Sequence, residues 1–183
     1  MMDANEREVY RAAIHGDRDA FEMIIRTQSR ALFAIAYGIL QNREEAEDAV
    51  QDALVKAWKS RWRVRDPEKF PAWLCMIARH RARDVFRKRR VSNKDLEGHA
   101  PSCPTVFATD ATDSSALDRQ LHSALAELPD LHRSALTLRY FEEMDYASIE
   151  KLLGISNGAL RGILGRALTS LRKQLHPTLA SLE

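Results

Sequence analysis

The 183-residue sequence has few cysteines, which can cross-link a fold, and few glycines and prolines, which interrupt regular structure. It contains only two cysteines, Cys75 and Cys103, which are too few for a disulfide framework in a chain of this length. It has 7 glycines and 6 prolines, and 45% of its residues are hydrophobic, which argues against a disordered tail. The sequence therefore predicts an ordered protein that buries a core, with Cys75 as a small hydrophobe within it.

Long apolar segments are also missing. No uninterrupted apolar run approaches the ~20 residues needed to span a bilayer. Residues 1–7 lack the apolar core of a signal peptide. We therefore expect a cytoplasmic protein without direct membrane insertion. The formal net charge of +2 excludes no partner, because the distribution of charge matters more than its sum for binding a polyanion.

The sequence carries no signature of an enzyme. It has no phosphate loop of the Walker type, no nucleophile elbow and no zinc signature. His99 and Cys103 have the spacing of half a metal site, but no second pair accompanies them. We predict a protein that acts by binding, with no catalytic residue, metal or cofactor.

Apolar residues recur every three or four positions through most of the chain, which predicts an all-α fold. The first stripe runs over Asp19–Leu40 and the second over 44–58, where Asn42 is the predicted N-cap and Glu45 its capping-box partner. A third helix is predicted from residue 70 to about residue 90. No sustained alternation of apolar and polar residues indicates a strand.

The periodicity disappears between Val91 and Ser115, a segment rich in Pro, Ser, Thr and Asp. Residues 91–120 hold five acidic and two basic side chains, a balance of −3. An unstructured run this long is unusual within one compact domain and indicates a linker. We therefore predict two small helical domains, 1–92 and 117–183, joined by a flexible acidic linker, 93–116.

The second domain ends in a predicted helix-turn-helix. Asp145 can cap a short helix that ends at Gly154, and Ser156 can cap a longer helix over 157–174. In this motif the second helix enters the major groove of DNA. An ordinary helical hairpin with a solvated basic face is the alternative.

The end of the third helix is strongly basic, with seven Lys or Arg residues between Arg79 and Arg90 and only Asp84 opposing them. Such a cluster fits contact with nucleic-acid phosphates. Just before this helix, Trp62 stands among cations, an arrangement that suits stacking of unpaired bases. We interpret Phe70 and Trp73, in contrast, as core residues, because they lie in the apolar stripe.

The polar face of the helix over 44–58 is acidic. Carboxylates near a helix N-terminus interact favourably with the helix dipole, so part of this charge needs no partner. A surface that docks another protein is the functional alternative.

These segments, in this order, resemble the extracytoplasmic-function family of sigma factors. The run Glu45-Ala46-Glu47-Asp48 through Trp58 is similar to region 2.2 of that family. Residues 70–90 are similar to regions 2.3 and 2.4. Ala126-Glu127-Leu128-Pro129, Leu138-Arg139-Tyr140 and Leu152-Leu153-Gly154-Ile155-Ser156 are similar to region 4. The resemblance covers about residues 17–90 and 117–175.

The resemblance implies a factor that gives core RNA polymerase its promoter specificity, with three sets of contact residues. Those for the clamp helices of the largest polymerase subunit are Glu47, Asp48, Gln51, Asp52, Lys56 and Trp58. Those that melt and read the −10 element are Arg61, Arg63, Arg65, Arg79, His80, Arg83, Arg87 and Lys88. Those that read the −35 element are Ser156, Asn157, Arg161, Gly162 and Arg166.

The resemblance also implies further partners. The second domain is expected to contact the flap of the second-largest polymerase subunit, and the acidic linker to pass through a basic polymerase channel. An anti-sigma factor is expected to hold the two domains together. Two other readings of the sequence are a stand-alone helix-turn-helix regulator that binds duplex DNA as a dimer, and an inhibitory protein that mimics a sigma factor.

The sequence departs from the family at two places. His80 stands in the −10 reading helix where members usually carry Asn, and Arg161-Gly162-Ile163 stands where they usually carry Lys/Arg-Ser-Arg. With Gly158 and Gly165, the last helix contains three glycines, each costing ~1 kcal/mol relative to Ala. We hypothesise that they allow the helix backbone to approach DNA or an inhibitor closely.

Overall fold

The computed structural model describes residues 3–94 and 116–179, and within these ranges every regular element is helical. The all-α prediction is therefore confirmed. The α-helices are α1 (Ala4–His15), α2 (Arg18–Leu40), α3 (Arg43–Ser60), α4 (Phe70–Lys94), α5 (Ala116–Ala126), α6 (Asp130–Leu136), α7 (Tyr146–Leu153) and α8 (Asn157–Leu179). In these two ranges no helix is both long and apolar enough to cross a membrane.

Helices α1 to α4 form the N-terminal bundle, in which α2 packs against α1, α3 and α4. Its helix starts are set by local hydrogen bonds. As predicted, Asn42 caps α3: its side-chain oxygen accepts the backbone N–H of Glu45 at 2.9 Å. Pro71 lies in the first turn of α4, where the missing N–H costs no helical hydrogen bond. Between α3 and α4 the chain makes two short 3-10 turns, Arg61–Arg63 and Pro67–Lys69.

Helix α1 is a feature that the sequence reading did not predict. Asp3 caps it by accepting the backbone N–H of Glu6 at 2.6 Å, and Gly16 ends it in the left-handed conformation with φ +105°. Tyr10 is buried in the core beneath this helix. Burial is the main cause that raises the pKa of Tyr10, and the Gln28 side chain hydrogen-bonds its hydroxyl.

The core of the N-terminal bundle combines large and very small side chains. Leu32, Phe70 and Leu74 are fully buried. Helix α3 presents mostly alanines to this core, so it lies close against its neighbours. These alanines are Ala46, Ala49, Ala53 and Ala57. Cys75 is only 3% exposed, as predicted, and burial raises the pKa of its thiol to about 12.

Helices α5 to α8 form the C-terminal bundle. Helix α6 continues as a π-helical turn over Thr137–Phe141. Asp145 caps α7 by accepting the backbone N–H of Ser148 at 3.0 Å, and this bond holds the pKa of Asp145 below its usual range. Gly154 ends α7 in the left-handed conformation with φ +66°. The predicted starts of both helices and the predicted end of the first at Gly154 are therefore confirmed, whereas α8 continues to Leu179, beyond the predicted end at residue 174.

The two bundles pack directly against each other. Helix α2 contacts α6 and the π-helical turn, while α4 contacts α7, so one hydrophobic core runs through both. The predicted linker 93–116, with His99 and Cys103, falls almost entirely on residues 95–115, which lie outside the described ranges. Helix α4 continues to Lys94 and α5 begins at Ala116, so regular helix extends slightly into both ends of that prediction.

A buried arginine joins the bundles. The side chain of Arg133 in α6 is 4% exposed, and its guanidinium donates to the carbonyl oxygens of Ala126 at 2.7 Å and Leu128 at 2.9 Å. It also donates to the carbonyl oxygens of Gly38 and Ile39, each at 3.3 Å. The cation thus lies at the carbonyl ends of α2 and α5, where the helix dipole favours positive charge. Burial lowers its pKa.

Candidate nucleic-acid interface

Five of the six residues predicted to bind polymerase form an exposed strip along α3. They are Glu47, Asp48, Gln51, Asp52 and Lys56. The sixth, Trp58, is half-buried, and its ring packs against Phe21 with centroids 5.1 Å apart. Trp58 therefore belongs partly to the core and can offer only one edge to a partner.

The strip on α3 is less acidic than its sequence suggests, because neighbouring arginines pair with two of its carboxylates. Arg43 donates to Glu47 at 2.9 Å, and Arg81 of α4 lies 3.2 Å from Asp52. Val55, which the sequence reading passed over, is 54% exposed on the same helix. An apolar side chain bordered by polar ones is the usual make-up of a protein interface. Because Val55 lies off the apolar stripe of α3, the sequence alone could have indicated that this side chain is exposed.

The basic residues of α4 divide into two groups. Those that face outward are His80, Arg83, Arg87 and Lys88. Arg89 instead turns inward, donating to Glu45 at 3.1 Å and to the carbonyl oxygen of Leu40 at 3.4 Å. Arg81 pairs with Asp52, as noted above. The outward group forms the basic surface, whereas Arg81 and Arg89 help to hold α4 against α3.

The segment between α3 and α4 carries the other predicted −10 residues. Arg63 and Arg65 are exposed. Arg61 folds back over the ring of Trp58, 4.0 Å from its centroid, and donates to the Trp58 carbonyl oxygen at 2.6 Å. Arg61 therefore packs against Trp58 of α3 and stabilises the loop that follows this helix. Trp62 is 66% exposed, although the Arg63 guanidinium lies over its ring at 5.4 Å from the centroid, so much of the ring is accessible to a flat ligand.

A cavity of about 640 Å³ lies between this loop, the first half of α4 and the end of α7. Phe70 is fully buried beneath it, while Trp73 is half-buried on Phe70 and lines the cavity. The prediction that Phe70 belongs to the core is confirmed, and Trp73 lies at the core's edge.

Arg79 is the half-buried cation of this cavity. Burial lowers its pKa and the nearby Arg83 acts in the same direction, while the carboxylate of Asp130 acts against both. A partly buried cation in this state favours an anionic ligand, such as a phosphate. Over the same ranges no cluster of His, Cys, Asp and Glu side chains could hold a metal ion.

The N-terminus of α8 carries a connected polar network. Ser156 Oγ accepts the backbone N–H of Ala159 at 3.4 Å, which agrees with the predicted cap. Asn157 donates to Glu150 of α7 at 2.5 Å and accepts from Arg161 Nε at 2.7 Å. This network orients Arg161 along the outer face of the helix-turn-helix, where all five predicted −35 residues except half-buried Gly162 are exposed.

The glycines of α8 differ in their surroundings. A Cβ at Gly162 would lie 3.2 Å from Arg166 Nη1, so the missing side chain leaves room for that guanidinium. A Cβ at Gly158 or Gly165 would meet nothing within 4 Å among the described residues. Packing within the described chain therefore does not explain these two glycines.

Comparison with known families matches both bundles. The model of Sigma-70 region 2 matches residues 24–91, and the model of Sigma-70, region 4 matches residues 118–171. The first match includes the α3 strip and the basic surface of α4. The second includes Arg133, the whole of α7 and α8 as far as residue 171.

Comparison with individual sequences gives matches along most of the chain. The RNA polymerase sigma factor CarQ of Myxococcus xanthus is 32% identical over 87% of this chain and 91% of its own length. The ECF RNA polymerase sigma factor SigW of Bacillus subtilis is 29% identical, covering 87% and 91%. The probable RNA polymerase sigma factor RfaY of Xanthomonas campestris pv. campestris is 30% identical, but the chain spans only 42% of its length.

Two solved structures share the fold. CnrH, in complex with the cytosolic domain of CnrY, has a TM-score of 0.60 at 26% identity, covering 94% of this chain and 97% of CnrH. The sigma factor RpoE of Bartonella quintana, in complex with the anti-sigma factor NepR, also has a TM-score of 0.60 at 26% identity, covering 85% and 96%.

Proposed function

This chain belongs to the extracytoplasmic-function group of the sigma-70 family, whose members are transcription initiation factors and not enzymes. From that premise we propose which partner each of its exposed surfaces binds. The strip on α3 docks on the clamp helices of core RNA polymerase. The basic surface of α4 and the loop before it capture the −10 strand. Helix α8 holds the −35 duplex, and the C-terminal bundle contacts the flap.

The observation that carries this proposal is the separation of three exposed polar surfaces onto three different elements. The α3 strip mixes acidic and amide groups around the exposed Val55, which suits a protein partner. The outward cations of α4 suit phosphates. One chain can therefore hold polymerase and promoter DNA at the same time without the two competing for a surface.

Capture of the −10 element requires an unpaired strand, and the loop before α4 has the chemistry for it. Trp62 offers a largely exposed ring for base stacking, while Arg63 and Arg65 are exposed beside it for phosphates. His80 lies on the same basic surface and can donate or accept a hydrogen bond at a base edge.

Recognition of the −35 element falls to the N-terminal half of α8. Arg161, held by Asn157, and Arg166 are placed for guanine edges or phosphates in the major groove. The open space over Gly158 and Gly165 lets a DNA backbone approach the helix more closely than a side chain would allow.

Control by an anti-sigma factor belongs to the same proposal. Two proteins of the same fold, CnrH and the sigma factor RpoE, were solved in complexes, and the partner of RpoE is named as an anti-sigma factor. We propose that this chain acts in the cytoplasm, where core polymerase and promoter DNA are found, and that a protein of that kind restrains it there.

Reconstituted transcription tests the function directly. Purified chain, sigma-free core polymerase and fragmented genomic DNA are combined, and the transcript starts are sequenced. We expect new starts that share two spaced upstream motifs. Tight, specific binding of duplex DNA by the chain alone, without any dependent starts, would instead favour a stand-alone helix-turn-helix regulator.

The docking surface is tested with matched charge reversals. Asp48→Arg, in the α3 strip, is expected to weaken co-elution with core polymerase at least tenfold. Glu22→Arg is the control, because Glu22 is an exposed carboxylate on α2 outside the strip. Equal loss of binding with both variants, or with neither, would contradict the assignment of the strip to polymerase.

A further inference from the structure

Helix α1 contacts the loop to which we assign capture of the −10 strand. This segment, residues 61–69 between α3 and α4, is the −10 loop. Both of its 3-10 turns contact α1. The contacts involve Arg61 at the start of the loop and Glu68 near its end, so Trp62, Arg63 and Arg65 lie between them in sequence.

At the start of the −10 loop, Arg61 is held between α3 and the end of α1. Its guanidinium lies over the ring of Trp58 on one side and against Gly16 on the other. A Cβ at Gly16 would lie only 2.8 Å from Arg61 Nη2. The glycine that ends α1 in the left-handed conformation therefore also leaves room for this guanidinium.

Near the end of the −10 loop, Arg7 of α1 forms an ion pair with Glu68. The two residues are 61 positions apart in the sequence, so the pair joins two separate elements. Both side chains are nearly half exposed. Because exposed ion pairs contribute little to the free energy of unfolding, this one can be broken without unfolding the bundle.

Tyr10 fixes α1 itself against the core. Its ring centroid lies 5.5 Å from that of Phe70, the residue at which the −10 loop ends and α4 begins. Gln28 of α2 donates a hydrogen bond to the Tyr10 hydroxyl, and all three side chains are buried. Helix α1 is therefore a firm support for the loop that lies against it.

We propose that α1 positions the −10 loop, and that Arg7 is a positioning residue for capture of the −10 strand. The inference rests on the proposed function of this loop. Binding costs less when the binding site is ordered in advance, so a loop held at both ends presents Trp62, Arg63 and Arg65 to the strand in one arrangement. A loop released at Glu68 should bind the correct strand less tightly and distinguish it less well from others.

A charge swap tests this role. Holoenzyme is titrated with a fluorescein-labelled single strand that carries the mapped −10 motif, and with a strand of the same composition in scrambled order. The readout is the ratio of the two affinities. Arg7→Glu and Glu68→Arg each place like charges together and should each lower the ratio at least threefold. The double variant, Arg7→Glu with Glu68→Arg, should return the ratio to within twofold of wild type.

Arg11→Glu is the matched control. Arg11 pairs with Glu8 within α1, so its reversal changes the net charge of the same helix by the same amount. The affinity ratio of this variant should equal that of wild type. A variant that is merely less stable would lose affinity for both strands by the same factor, and its ratio would not change.

Three outcomes would overturn the inference: an unchanged ratio for Arg7→Glu, an equal fall for Arg11→Glu, or no recovery in the double variant. The first would mean that the loop keeps its arrangement without the ion pair. The second would assign the effect to the charge of α1, and the third to Arg7 or Glu68 separately. If wild-type holoenzyme already binds both strands equally, the proposed function of the loop fails, and the inference fails with it.

Discussion

Arg133 gives the most direct test of how much a buried guanidinium stabilises the C-terminal bundle and its junction with α2. Arg133→Met keeps an unbranched side chain of similar length but removes all four carbonyl hydrogen bonds. A hydrogen bond to a charged group contributes about 1.5–3 kcal/mol net. Counting only the two short bonds, at 2.7 and 2.9 Å, gives about 3–6 kcal/mol. Burial disfavours the charged guanidinium and lowers its pKa. We therefore expect Arg133→Met to lower the free energy of unfolding by about 3 kcal/mol, at the lower end of this range.

Urea unfolding followed by circular dichroism measures this loss. With a slope of about 2–3 kcal/mol per molar urea, the midpoint should fall by about 1–1.5 M. Arg172→Met is the matched control, because Arg172 is exposed on α8, and its effect should stay within about 0.5 kcal/mol. Arg133→Lys should fall between the two, since an ammonium group cannot span both pairs of carbonyls.

A midpoint for Arg133→Met that matches the Arg172→Met control would refute the reasoning. It would mean that water satisfies the four carbonyls as well as the guanidinium does. Full rescue by Arg133→Lys would refute a narrower point, because charge at the helix ends would then matter and the forked geometry would not.

Three further predictions concern α8 and the core. Arg161→Ala should weaken binding of the mapped −35 duplex by holoenzyme, because one phosphate or base contact is lost. In a titration with KCl, the slope of log affinity against log salt concentration should fall by about 1. An unchanged slope and affinity would show that Arg161 is not in the interface. Gly158→Ala and Gly165→Ala should each raise the melting temperature by about 2–4 °C, because alanine has a helix propensity more favourable than that of glycine by ~1 kcal/mol. Each should also weaken binding of the −35 duplex. Stabilisation with unchanged affinity would rule out close approach of the helix backbone to DNA. In a Cys103→Ser chain, Cys75 should react with a disulfide reagent only upon unfolding, because burial raises its pKa to about 12; rapid labelling of the folded chain would contradict this.

The local features of the fold could be predicted from the sequence because the interactions behind them span only a few residues. The cap at Asn42 joins residues three apart, as does the cap at Asp145. Gly154 ends α7 because only the left-handed conformation closes that turn. Helix α1 had signals of the same kind, Asp3 with Glu6 and Gly16, but its apolar stripe is short, because the helix has only 12 residues.

The junction between the bundles could not be predicted in this way. Gly38 and Arg133 are 95 residues apart, and the partners of Arg133 are backbone carbonyls, which no residue pattern identifies. Arginine is usually exposed, so a periodicity argument leaves it at the surface. Here it is buried because two helix ends converge on it.

The candidate site shows the same limit at the level of single side chains. The resemblance left Arg81 and Arg89 out of the −10 set, but the charge pattern itself does not tell them, paired with carboxylates of α3, from the exposed Arg87 and Lys88. That distinction depends on which turns of α3 lie opposite, and so on tertiary packing. The polymerase strip was easier to locate, because its residues share one face of one helix.

The helix that supplies each carboxylate paired with an α4 cation determines which of these cations DNA can bind. Asp52 and Glu45 both come from α3, so Arg81 and Arg89 cannot exchange them for phosphates without loosening the N-terminal bundle itself. Asp130 comes from the other bundle, so the packing of α4 against α2 and α3 does not depend on its pairing with Arg83. Arg83 can therefore exchange its carboxylate partner for a phosphate without loosening the N-terminal bundle, whereas Arg81 and Arg89 maintain the surface on which DNA is read.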